Sequence, residues 1–200
     1  MLATIQTSDH LTLHPPRQYR FDDEYFFALC QANQDLRLER DADGNIILIP
    51  PTGSETGRYN ANLNGEVWSW NRKKQAGYVF DSSTGFTLPN SAVRSPDVSW
   101  IRKDRWDQLP KEKQEKFAPI CPDFVIEIRS KTDSTQELKA KMEEYRENGC
   151  RLGWLIDRIE KTVFIYRETG AIEIQTGEQV MLSGEAVLEG FEITITLQLT

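Results

Sequence analysis

Histidine is nearly absent from this chain: its 200 residues include two, His10 and His14, both near the start. A Ser-His-Asp triad, a Cys-His pair, an HNH-type nuclease site and a His-rich metal centre all need an imidazole in the core, so none is open to it. Cysteine is scarce too. Cys30, Cys121 and Cys150 are odd in number, far apart and without a Cys-x-x-Cys pair, which indicates neither a zinc site nor a disulfide framework and leaves buried free thiols. No apolar run approaches the roughly 18 residues of a membrane span. Residues 1–10 show neither a basic start nor an apolar stretch, so the expectation is a cytoplasmic protein with no membrane partner. A net basic charge is also missing. The formal charge of −7 argues against a passive nucleic-acid coat protein. Residues 102–151 nevertheless hold 12 Lys and Arg against 11 Asp and Glu, a local balance of +1, so the phosphate-binding potential is concentrated there. An enzyme made from what remains must run on carboxylates, lysine and metal.

What is present is a chain of globular composition, 38% hydrophobic and 28% charged, long enough for one domain over residues 1–200. Residues 1–17, ending at Pro15-Pro16, read as a flexible tail. The pattern then predicts a short amphipathic helix over 22–34, with Tyr25, Phe26, Leu29 and Cys30 inward, and a hairpin of strands 36–39 and 46–49 around the turn Asp41-Ala-Asp-Gly44. A long helix follows over 55–75, whose stripe Tyr59, Leu63, Val67, Trp70 extends backwards onto Glu55. That carboxylate is either aligned with the buried face or simply favoured at a helix start by the dipole. Short strands are expected at 78–80, ending at Asp81, and at 85–88 and 98–101. A charged excursion over 103–119 leads to a buried strand at 123–129. Ser134-Thr-Gln-Glu137 has capping-box form and Asn148-Gly149 suits a stop, which sets a helix over 135–148. Strands at 151–157, 162–167, 172–175 and 191–197 complete the chain.

The chemistry concentrates at Pro96-Asp97 and Glu127-Ile-Arg129. Along a strand, side chains alternate, so Val125, Glu127 and Arg129 share one face and Phe124, Ile126 and Ile128 the other. If Val98-Ser-Trp-Ile101 forms the neighbouring strand, Asp97 comes within a few Å of Glu127, and two carboxylates with waters and phosphate oxygens suffice for Mg²⁺. Solvated acids at strand ends, or a surface Glu-x-Arg pair, are the plainer alternative. Asp123 lies four residues before Glu127 on the same strand, roughly 13 Å away at about 3.3 Å per residue, too far to share an ion. Lys141, three residues after Leu138, falls inside the apolar stripe of its helix and either aims at the sheet or runs its stem along apolar surface to water.

The segments Pro51-Thr-Gly-Ser-Glu-Thr-Gly57, Phe80-Asp-Ser-Ser-Thr-Gly-Phe86, Arg94-Ser-Pro-Asp97, Lys116-Phe-Ala-Pro-Ile-Cys-Pro-Asp-Phe-Val-Ile-Glu-Ile-Arg-Ser130, Lys141-Met-Glu-Glu-Tyr145 and Gly153-Trp-Leu-Ile-Asp157 resemble the bacterial Uma-two family, restriction-endonuclease-like proteins of the PD-(D/E)xK nuclease superfamily. The resemblance covers about residues 20–197. It implies an α/β (α+β) fold with a central mixed sheet flanked by helices, plus N- and C-terminal β-hairpin additions. It implies a Mg²⁺- or Mn²⁺-dependent DNA endonuclease, with Asp97 and Glu127 as metal ligands and Glu55 as an accessory carboxylate; Asp81 matches a further acidic position. The superfamily lysine normally follows the second carboxylate by two residues, where this chain has Arg129. Arginine stays protonated and can bind the scissile phosphate but cannot act as a base, so Lys141 is the expected replacement. A homodimer would suit cleavage of both strands. The rival expectations are a catalytically silent binding or regulatory module with the same fold, and a hydrolase of small phosphorylated molecules.

Overall fold

The computed structural model describes residues 11–16 and 21–198. In chain order the elements are β1 (Leu11–Leu13), α1 (Asp23–Ala32), β2 (Arg37–Arg40), β3 (Ile46–Ile49), α2 (Ser54–Lys74), β4 (Gly77–Asp81), β5 (Phe86–Thr87), β6 (Val93–Arg94), β7 (Val98–Arg102), the short helices α3 (Lys103–Asp107) and α4 (Lys111–Gln114), β8 (Phe124–Ile128), α5 (Thr135–Glu147), β9 (Leu152–Asp157), β10 (Thr162–Arg167), β11 (Glu173–Thr176), β12 (Gln179–Ser183) and β13 (Glu192–Thr196). A six-stranded sheet of order β11-β10-β9-β8-β7-β4 forms the centre. It is mixed: β8 and β9 run parallel, whereas β7 is antiparallel to both β8 and β4. Parallel neighbours need a long crossover, and α5 supplies it.

β8 is buried at every position because a helix covers each face of the sheet. Phe124, Ile126 and Ile128 pack with Tyr59, Leu63, Val67 and Trp70 of α2, and Val125 packs on the other face with Met142 and Tyr145 of α5. The alternation along β8 and the 3.6-residue repeat of α2 therefore meet in one core. Each large apolar side chain buried there contributes about 1.5–3 kcal/mol. Helix α5 starts where Ser134 Oγ accepts the Glu137 amide hydrogen and ends before Gly149, whose φ of +101° suits glycine. It can lie close to the sheet because Gly153 has no side chain: a Cβ there would sit 2.5 Å from Met142 Cε.

The N-terminal hairpin β2–β3 turns at Gly44, with φ of +86°, and grows into a five-stranded sheet of order β1-β3-β2-β6-β5. Residues 11–13, expected in the tail, instead pair with β3, Leu11 opposite Leu48, because β3 offers an open edge that local sequence does not reveal. Of the rest of the tail, residues 1–10 and 17 lie outside the described residues. Tyr25, expected inward on α1, is exposed, and Phe26 carries the helix's burial. At the C-terminus β12 pairs with β13 as a separate hairpin. A C-terminal hairpin is what the resemblance implies, although the residue pattern places no strand at 179–183. Its Val180 and Leu182 alternate inward, while Met181 remains in solvent. Among the described residues no helix is long and apolar enough to cross a membrane.

Candidate active site

The antiparallel register of β7 and β8 puts Val98 opposite Ile126, so the next pair along is Asp97 opposite Glu127. Directly opposed residues share a face with Cβ atoms about 4.5–5.5 Å apart. Asp97 Oδ2 accepts the Ile128 amide hydrogen at 2.8 Å, and Oδ1 accepts Nδ2 of Asn60 at 2.8 Å. Burial raises the Asp97 pKa, outweighing the Ile128 amide and the nearby Lys141 and Arg37 charges. Glu127 is 4% exposed. Its Oε1 accepts the Tyr145 hydroxyl at 3.0 Å and lies 2.9 Å from Lys141 Nζ. Burial pushes the Glu127 carboxyl up to about 7; Lys141 opposes the rise, and the Asp97 and Glu39 charges add to it.

Lys141 reaches this point from α5 across the sheet face, and a second buried acid, Glu39 of β2, meets the same ammonium at 2.9 Å. Glu39 also accepts the Ser95 amide hydrogen at 2.9 Å and Nη1 of Arg94 at 3.1 Å. Burial alone would raise its pKa, but Lys141, Arg94 and the amide together pull it down to about 2. Burial likewise opposes charge on Lys141, yet Glu127 and Glu39 hold it well above the ordinary lysine range. An ammonium so held donates hydrogen bonds and positive charge; it does not remove a proton from water in this state.

These groups line a cavity of about 600 Å³, walled by Glu39, Asp97, Glu127 and Lys141 on one side and by a row of α2 on the other. That row is Thr56, Asn60, Asn64 and Trp68, at four-residue spacing. The apolar stripe of α2 begins at Tyr59 and faces the sheet. One residue along a helix is about 100° of rotation. Glu55 lies one turn before Tyr59, on the line of that stripe and not of the polar row, and its carboxylate does not line the cavity: it meets Arg58 at 2.8 Å and Arg158 at 3.1 Å. Glu55, expected as an accessory carboxylate, is therefore not among the residues that line the cavity. Arg129 is also turned away, its Nη1 2.8 Å from Asp157 and its Nε on the Asp133 carbonyl at 3.3 Å, and it does not line the cavity. Just past the end of β8, two partners on neighbouring segments capture it. Asp81 does line the cavity, with Oδ1 engaged by the amide and hydroxyl of Ser83. Asp123 sits at the opposite end of β8, where it accepts the Arg102 amide and pairs with Arg105. Glu39 and Asn60 were not singled out in the sequence. The one signal for Glu39 was a charged Arg-Leu-Glu-Arg strand; for Asn60 it was the polar row beside the apolar stripe of α2.

Among the described residues, no three His, Cys, Asp or Glu side chains converge as a metal cluster. A hard divalent ion needs fewer. One or two carboxylates plus waters and substrate oxygens suit Mg²⁺, and the all-oxygen pair of Asp97 and Glu127 beside an open cavity fits that requirement.

The chain matches the Uma2 family, described as "Putative restriction endonuclease", over residues 23–197. The crystal structure of a "putative nuclease belonging to DUF820" from Anabaena variabilis has a similar fold, with TM-score 0.66, 22% identity, and coverage of 80% of this chain and 87% of that one. At that identity the likeness speaks for the fold. No curated protein matches the chain. A family match across most of the sequence, the likeness to a nuclease fold and a central mixed sheet flanked by helices agree, and the chain belongs to the Uma2 family of restriction-endonuclease-like proteins.

Proposed function

We propose that the chain is a divalent-metal-dependent endonuclease that hydrolyses DNA phosphodiester bonds in the Asp97–Glu127 cavity. The observation that carries this reading is the cross-strand placement of Asp97 against Glu127 with the Lys141 ammonium 2.9 Å from Glu127 Oε1. Asp97 and Glu127 would hold Mg²⁺ or Mn²⁺, which supplies Lewis-acid stabilisation of phosphate charge and lowers the pKa of water. The remaining work falls to the chain's own side chains. Asn60 and the Ile128 amide fix the Asp97 carboxylate, and Tyr145 fixes Glu127. Lys141 offers a desolvated positive charge to the non-bridging phosphate oxygens and orients the attacking water as a donor. Glu39 holds that ammonium from behind and balances its charge. Arg37, at the cavity wall with Nη2 on the Ser82 carbonyl, adds a cation on the side where a phosphate backbone would run.

Purified protein incubated with plasmid, linear and single-stranded DNA, with Mg²⁺ or Mn²⁺ and then with EDTA, tests the proposal beside a Glu127→Ala control. Metal-dependent cleavage lost in the control supports it. A folded protein that neither binds these ions by calorimetry nor cuts any of the DNAs would be a silent nuclease-fold module. Turnover of a model phosphodiester without any binding to DNA would point to a small-molecule hydrolase.

A further inference from the structure

Trp68 is the one large aromatic among the residues lining the candidate active-site cavity, and it is 51% exposed. It closes the row begun by Thr56, Asn60 and Asn64. Arg72, one turn further along α2, lies over its ring with Cζ 5.3 Å from the centroid. A guanidinium over one face steadies an indole at little cost and leaves the side chain half in solvent. One turn before it, Gly65 sits inside the helix, where glycine costs about 0.5–1 kcal/mol relative to alanine. Apart from its chain neighbours and the backbone of its own helix, nothing comes within 4 Å of where its Cβ would be, so packing against the rest of the chain does not call for a glycine there. Space is thus left open beside a steadied, exposed indole on the wall of the candidate site.

We infer that Trp68 is a stacking platform for an unpaired nucleobase of the substrate strand, so that the preferred DNA carries unpaired nucleotides within a few positions of the scissile phosphate. The inference rests on the nuclease reading above. Trp68 lies eight residues from Asn60, which touches Asp97. That is about 12 Å along the helix at 1.5 Å per residue, or about three to four nucleotides of a stacked strand at 3.4 Å each. Within a duplex both faces of a base are covered by its neighbours, so an indole can meet a base face only where the strand is single, frayed or flipped out. Arg37 at the cavity wall and Arg72 over the indole would supply positive charge to phosphates along that strand.

Binding of a single-stranded 20-mer and its duplex is measured by anisotropy at fixed salt of about 0.1 M, in Ca²⁺ with gels confirming intact DNA. Wild type, Trp68→Ala, Trp68→Phe and Gly65→Gln are compared, with circular dichroism as the check on folding. Wild type is expected to bind the single strand more tightly than the duplex. Trp68→Ala should weaken single-strand binding roughly 5- to 150-fold, the range for loss of one base–aromatic stack. Trp68→Phe should restore most of it, and Gly65→Gln should weaken binding by filling the open space. A 2-aminopurine walked along the strand should be quenched at one position by wild type and released by Trp68→Ala. Equal affinity of wild type and a folded Trp68→Ala for the single strand, or equal loss for single strand and duplex, overturns the proposal. If metal-dependent cleavage persists in that case, the nuclease reading stands and only the stacking role falls.

Discussion

Two Pro-Asp steps occur in this chain, and they lie at opposite ends of the same strand pair. Asp97 and Asp123 each accept a backbone amide hydrogen from the neighbouring strand, Ile128 for the first and Arg102 for the second. Their surroundings then diverge. Asp123 is fully enclosed and meets Arg105 at 2.9 Å, so its charge is neutralised within the fold. Asp97 faces a cavity, its second oxygen is held by a neutral amide, and burial raises its pKa. The same dipeptide is a structural lock where a cation closes it and a candidate ligand where the protein leaves its charge unbalanced. Buried charge without a full partner is costly to keep, and for that reason it marks places of function.

The largest expected effect separates the two aspartates. Asp97→Asn should lower cleavage by about 1,000-fold or more, since metal-linked charge stabilisation supplies several kcal/mol. It should leave the metal-free fold intact, because the Asn60 amide can flip to accept where it now donates. Asp123→Asn should do the reverse, costing roughly 2 kcal/mol in urea unfolding, a partly solvated Arg105 limiting the loss, while cleavage in the cold is retained. Equal loss of activity in both variants, with both folded, would erase the distinction.

Lys141→Met comes next. It keeps the stem and removes the ammonium, and it should lower kcat by roughly 100- to 10,000-fold with DNA binding nearly unchanged. Unchanged cleavage by a folded Lys141→Met protein would reduce the lysine to a structural bridge between Glu127 and Glu39.

Glu39 then tests how the cavity is held. Its pKa in the fold is depressed to about 2 from 4.5, so the stabilisation it gives is present above pH 4.5 and lost as the pH falls towards 2. The loss is on the order of 3 kcal/mol. Unfolding of wild type minus that of Glu39→Gln, followed from pH 6 to pH 2, should show that slope; a flat difference means Glu39 is not ionised against Lys141.

The smallest expected change is at Glu55. Its carboxylate is turned to Arg58 and Arg158, so Glu55→Gln should alter cleavage by less than about twofold, with a stability cost within about 1 kcal/mol for a partly exposed pair. A tenfold loss of kcat would return it to the catalytic group.

How much of this was readable from residues alone follows the range of each interaction. The alternation of Phe124 to Ile128, the 59-63-67-70 stripe, the Ser134 cap and the glycine stop at Gly149 are local patterns. They gave the elements correctly, including the opposition of Asp97 and Glu127 once β7 and β8 were placed side by side. The aim of Lys141 at Glu127 followed from its place in a helical stripe. The resemblance puts Glu55 and Arg129 at the site by their places in its motifs, but side chains of that length go where the nearest opposite charge is, and those charges belong to Arg158 and Asp157.

What the sequence by itself determined is therefore the periodic core, the pair of strands that carries two carboxylates, and the lysine behind them, since these depend on spacing within a few residues. Tertiary structure alone decided that Glu39, 102 positions from Lys141, shares its ammonium. It also decided that Asn60 holds Asp97 and that Trp68 stands at the cavity wall. The reason is physical: backbone periodicity fixes which face a side chain occupies, whereas its partner is set by packing between distant segments, which no local pattern encodes.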